Sequence, residues 1–194
     1  MLKQLANVVS NILNPFSIGV LIISIVSFSG SDIILEAIKW SLILISINIL
    51  PIFLLLIYLV RHHSVDGILS NTRGQRTKIY VLALVLSLVS CTVLCILKAP
   101  LILLSLNIAG LSGIISFMFI NLRWKISLHT AFITALATVL YILYGLISVI
   151  TVVLIPLVAW SRIELKQHTI VQVITGALLG NIILVVVFYF MGQI

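Results

Sequence analysis

Acidic side chains are nearly missing from this chain. Of 194 residues only Asp32, Glu36, Asp66 and Glu164 carry a carboxylate, with no clustered pair of the kind that holds magnesium or calcium. Cysteine is as scarce. Cys91 and Cys95 stand one helical turn apart in an apolar run, which suits small packing residues and offers no disulfide framework. Charge of either sign is low, at 8% of residues, and that excludes a soluble core-and-surface protein. There is no low-complexity tract, no internal repeat and no polar stretch large enough for a nucleotide-binding domain.

What is present is sequence suited to hydrocarbon. Apolar residues make up 62% of the chain and mean hydropathy is +1.37. The few charges leave charge-free runs at 4–31, 40–60, 79–97, 99–122, 126–161 and 167–194. Each is long enough to cross a bilayer, since about 20 helical residues cover about 30 Å of hydrocarbon. The reading is an all-α fold, a polytopic membrane helical bundle with about six to seven transmembrane helices in a single integral membrane domain over 1–194. Spans are expected over 9–29, 37–60, 79–97 and 100–121. The run from Ser127 to Trp160 would reach about 50 Å as one helix, so it is divided near Gly145, and a last span covers 169–192. Pro51 and Pro156 fall inside spans, where a kink is tolerated if neighbours satisfy the freed carbonyls. The opening residues carry one lysine and no small-residue cleavage site, which reads as a retained first span.

With seven crossings, the amino terminus and the loops 61–78, 122–129 and 161–168 share one face. That face collects all four histidines and nine of the eleven basic residues, leaving Lys39 and Lys98 opposite. The positive-inside rule makes it the cytoplasmic side of a cell membrane. The net charge of +7 therefore reflects topology, and nucleic acid is not expected as a partner.

Polar groups kept near hydrocarbon need a reason, and three short segments hold them. One runs from Asn71 to Lys78 before the third span. The second is Lys125-Ile126-Ser127-Leu128-His129-Thr130, opening the fifth. The third, from Ser161 to Gln172, opens the seventh. Histidines and arginines at helix starts on one face make a site for an anion with several oxygens. Guanidinium forks match phosphate, and helix amino termini add backbone N–H groups. Histidine can attack phosphorus or pass a proton near neutral pH, so two of them allow one nucleophile and one general acid.

These residues resemble the motifs of the type 2 phosphatidic acid phosphatase superfamily, which read K-x6-R-P, P-S-G-H and S-R-x5-H-x3-D. The third motif appears as Ser161-Arg162, His168 and Gln172, complete except for the final aspartate. The second keeps Ser127 and His129 but has Ile126 and Leu128 for proline and glycine. The first keeps Arg76, with Thr77 for proline and Leu69 for lysine. The resemblance covers roughly 61–194, taken as the phosphatase-like core. The family's first two motifs share one loop, whereas 44 residues from Ile79 to Leu122 lie between them here.

The resemblance implies a membrane lipid phosphatase acting on a phosphate mono- or diphosphate ester of a polyprenyl or phosphatidate type. His168 would be the nucleophile forming a phosphohistidine, His129 the proton donor, and Gln172 the residue at the orienting position. Arg76, Ser127 and Arg162 would hold phosphate oxygens, with Arg73, Lys78 and Lys125 as further cations that offset the missing lysine. No metal or cofactor is implied, and the partners are the bilayer and a phosphorylated lipid. Gln172 can fix a tautomer but cannot neutralise an imidazolium, and Glu164 is a candidate substitute. Two alternatives stay open: a phosphotransferase on the same fold, and a degenerate member that binds phosphorylated lipid without turnover.

Overall fold

The computed structural model describes residues 1–63 and 73–194, without the side chains of Arg73 and Gln75, and every regular element among them is helical. In chain order these are α1 (Leu2–Ile12), α2 (Pro15–Ser29), α3 (Ile34–Asn48), α4 (Leu50–Arg61), α5 (Arg73–Ile96), α6 (Leu101–Asn121), α7 (Leu128–Tyr144), a 3₁₀ segment (Gly145–Val153), α8 (Leu154–Glu164) and α9 (Ile170–Phe190). Among the described residues six stretches are long and apolar enough to cross a membrane: Leu2–Ser29, Ile34–Arg61, Arg76–Ile96, Leu101–Asn121, Leu128–Glu164 and Ile170–Phe190. The protein is thus an all-helical polytopic bundle.

Each interruption has a local cause. Between α1 and α2 the Asn14 side chain accepts the backbone N–H groups of Phe16 and Ser17, and Pro15 starts α2 where no N–H donor is needed. Pro51 separates α3 from α4 in the same way, in the first turn of the second helix. α7 ends at Gly145, whose φ of 66° suits glycine alone among common residues at low cost. The division expected near Gly145 falls at that point. α8 packs back against α7, so the 37-residue stretch Leu128–Glu164 reverses direction within the 3₁₀ segment.

The chain forms two compact units. The first comprises Met1–Ile22 and Lys125–Gly192, with α7, α8, α9 and α1 packed together. The second comprises Ile23–Trp124, where α5 packs on α6, α3 and α4. In lipid, helices gain little by hiding apolar surface from one another, so small residues and hydrogen bonds decide which faces meet. The first unit shows this at Gly176-Ala177-Leu178-Leu179-Gly180 on α9. A Cβ at Gly176 would lie 2.4 Å from the Ser127 carbonyl oxygen, and one at Gly180 would lie 2.5 Å from that of Ala131. This G-x-x-x-G spacing lets the α9 backbone press against α7, with the two helices running parallel from the same end.

Candidate active site

The start of α7 is fixed by Ser127. Its side chain accepts the Thr130 N–H at 3.4 Å, and the Thr130 hydroxyl donates to the Ser127 carbonyl. Ser127 is fully buried, and His129, second residue of the helix, is 3% exposed. The Ser127 N–H also donates to the Gln172 carbonyl at 3.3 Å, stitching the first turn of α7 to the first turn of α9.

Where the last span was expected to open on Ser161 and Arg162, the structure instead puts them in the final turn of α8. The S-R-x5-H spacing is a helix end followed by a reversal. Lys166 has φ of 54° and donates its N–H to the Ile163 carbonyl, while Gln167 donates to the Arg162 carbonyl. Those two bonds form a Schellman cap with lysine in the left-handed position usually held by glycine. His168 then donates its own N–H to the Arg162 carbonyl at 3.3 Å, so five intervening residues bring His168 back beside Arg162. Ser161, in the final turn of α8, donates its hydroxyl to the Ala6 carbonyl of α1 at 2.7 Å.

α9 opens with a capping box. The Thr169 hydroxyl accepts the Gln172 N–H, and Gln172 Oε1 accepts the Thr169 N–H at 3.2 Å. Gln172 Oε1 also lies 3.0 Å from His168 Nδ1. A backbone N–H can only donate, so the amide atom facing it must be oxygen. His168 Nδ1 must then carry the proton and donate, which leaves the lone pair on Nε2. Gln172, not Glu164, is the group on Nδ1 of this histidine.

Arg162 is 2% exposed and His168 6%, both costly to bury unless their charge or lone pairs are used. Arg162 Nη1 donates to the hydroxyl of Ser10 on α1, and the same hydroxyl lies 3.4 Å from His129 Nε2. Ser127, His129, Arg162, His168 and Gln172 are thereby joined within the first unit by backbone and side-chain hydrogen bonds. Lys125 is half-buried just before α7 in that unit.

The remaining candidates belong to the second unit and are described there by themselves. Arg76 is buried at the start of α5 and interacts with Tyr80 one turn on, while Lys78 is exposed. Leu69 and the side chain of Arg73 lie outside the described residues.

Sequence reasoning missed Ser10, Thr169, Gly176 and Gly180. The capping box and the glycine spacing were both readable as patterns in the chain. Ser10 gave no signal beyond standing one turn from Ala6 on α1, because its partners are 119 and 152 positions away.

The PAP2 superfamily model matches residues 114–194, the stretch that carries the second and third motifs. No curated protein and no solved structure matches the chain. Members of this superfamily generally hydrolyse phosphate esters, so the match supports a lipid phosphoesterase family and fits a multi-pass membrane protein.

Proposed function

We propose, taking as premise that residues 114–194 match the PAP2 superfamily, that this protein is a metal-independent membrane lipid phosphatase working through a phosphohistidine. The observation that carries the reading is the double use of Gln172 Oε1, which accepts both the Thr169 N–H and His168 Nδ1–H and so favours Nε2 as the attacking atom.

In the first step His168 Nε2 forms a bond to phosphorus as the bond from phosphorus to the lipid oxygen breaks. His129 gives a proton to that departing oxygen, which leaves as an alcohol or as a lipid monophosphate. Arg162, supported by Ser127 and by the cation Lys125 of the same unit, balances charge on the phosphoryl oxygens. In the second step His129 takes a proton from water, water oxygen bonds to phosphorus, and the N–P bond breaks to release phosphate and restore His168. The charged ring of the intermediate has an amide rather than a carboxylate beside it, which slows the first step relative to an aspartate at this position. The cytoplasmic side is the face we assign to this chemistry, from the basic loops.

The experiment is phosphate release by purified protein in detergent from dioctanoyl phosphatidate and from a polyprenyl diphosphate, with divalent metal chelated. Release by wild type and loss of release in His168→Ala is the expected result. Equal release by both proteins would remove His168 as the nucleophile. Gln172, Leu128 and Leu69 favour one second reading, a binder of phosphorylated lipid. Saturable lipid association with no turnover by the wild type would establish it in place of the first. Appearance of phosphate on an added alcohol instead of water would make the protein a transferase.

A further inference from the structure

Ser10 lies outside the matched segment and outside every motif of the family resemblance, yet its hydroxyl contacts both Arg162 and His129. It is 2% exposed, on a helix whose other buried residue, Ala6, sits one turn earlier on the same face. Leu2, Leu5, Val8 and Ile12 of that helix are exposed. What holds α1 against α8 is therefore a close approach of small residues and two polar bonds from consecutive residues: Ser161 to the Ala6 carbonyl and Arg162 to the Ser10 hydroxyl.

We propose that Ser10 is a positioning residue that holds His129 in register with Arg162 through both of its protonation states. The proposal rests on the phosphatase reading above. Its physical basis is the chemistry of a hydroxyl, which has one hydrogen and two lone pairs. Arg162 can only donate, so one lone pair of Ser10 is committed to Nη1. When His129 Nε2 is unprotonated, the Ser10 hydrogen points to it. When Nε2 carries a proton, the second lone pair of Ser10 accepts it. Whichever state Nε2 holds, the imidazole stays beside the guanidinium, with Nδ1 as the ring atom that gives its proton to the leaving alkoxide and takes one from water. An alanine, a lysine or a second arginine at position 10 cannot do both. Since α1 carries this hydroxyl, the amino-terminal helix becomes part of the site rather than an anchor beside it.

A residue acting through the proton donor matters most where the leaving group needs a proton. Dioctanoyl phosphatidate leaves as an alkoxide unless protonated, whereas p-nitrophenyl phosphate leaves readily as the phenolate. Because kcat/KM reports steps up to phosphoenzyme formation, its ratio for the two substrates isolates help given to the leaving oxygen, and the fraction of active protein cancels. Ser10→Ala is expected to lower kcat/KM about 10-fold for dioctanoyl phosphatidate and less than about 3-fold for p-nitrophenyl phosphate, part of the 10²–10⁴-fold usual for general acid catalysis. Equal losses on both substrates would reduce Ser10 to a structural contact and overturn the assignment, as would no loss on either. If the wild type cleaves neither substrate, it is the phosphatase reading that fails first and this assignment falls with it.

Discussion

Both units bury polar side chains among apolar helices, but they bury different kinds. In the second unit Asn48 donates to the Ser90 hydroxyl, Asn107 to the Ser87 carbonyl and Asn121 to the Thr77 hydroxyl, one neutral link after another along α5. In the first unit His129, Arg162 and His168 are buried together at one end, tied by Ser10, Ser127 and Gln172. Neutral links of the first kind join helices at modest energy, averaging about 0.6 kcal/mol each in measured membrane bundles. Ionisable groups cost far more to place near hydrocarbon, and the proposed phosphatase site would account for a cluster of three. Arg76 and Tyr80 are buried ionisable side chains of the second unit, at the end of α5 where that ladder begins.

The sharpest way to break this contrast is His168→Ala. We expect phosphate release to fall about 10³-fold or more, as for other covalent nucleophiles, while the detergent melting temperature moves little. A large melting shift with little loss of rate would mean that the first unit's cluster is structural like the second's.

Gln172→Asp sharpens it from the other side by giving the ring of the proposed phosphohistidine a carboxylate partner. The rate of phosphoenzyme formation should rise about 10-fold, a fraction of the 10⁴-fold attached to such a carboxylate in serine proteases. A fall would mean that the longer reach of Gln172 to the Thr169 N–H matters more to the site than the missing charge.

Glycines test packing rather than chemistry. At Gly176 a methyl group would meet the Ser127 carbonyl at 2.4 Å and the Thr130 hydroxyl at 2.6 Å, whereas at Gly110 of α6 nothing lies within 4 Å. Thermal unfolding in detergent should show Gly176→Ala destabilised by about 1–3 kcal/mol. Gly110→Ala should be unchanged or stabilised by up to about 1 kcal/mol, from helix propensity. Equal tolerance at both positions would mean that α7 and α9 are not held at the spacing described.

The smallest effect is expected for Asn107→Ala, which removes one rung of the ladder in the second unit. A loss of about 0.6 kcal/mol in stability is expected, with phosphate release within about twofold of wild type. A tenfold loss of release would make that ladder part of the catalytic machinery.

Much of this was legible along the chain, and the reason is locality. Helix breaks at Pro15, Pro51 and Gly145 follow from dihedral restrictions of single residues, so span boundaries were within reach. The first span was still misjudged: α1 starts at Leu2 and is separate from α2, because Asn14 caps a new helix where the hydropathy continues unbroken. Ser161 and Arg162 were assigned to the wrong helix, since polarity marks a membrane surface but not whether the chain is arriving or leaving. Lys166 in a left-handed cap was hidden for a related reason: lysine there contradicts the usual glycine signal.

By itself the sequence determined the solvent, the helical state and the residue types of the candidate site. Apolar runs of membrane length admit few other structures, and S-x-H followed by S-R-x5-H carries the resemblance to a phosphatase family. Only the tertiary structure decided that Gln172 fixes the tautomer of His168, that Arg162 closes α8 beside it, and that a serine 152 positions upstream reaches the same guanidinium. Hydropathy and motif spacing are properties of neighbours in the chain, whereas a hydrogen bond depends on distance in space, which the order of residues does not encode until the helices have packed.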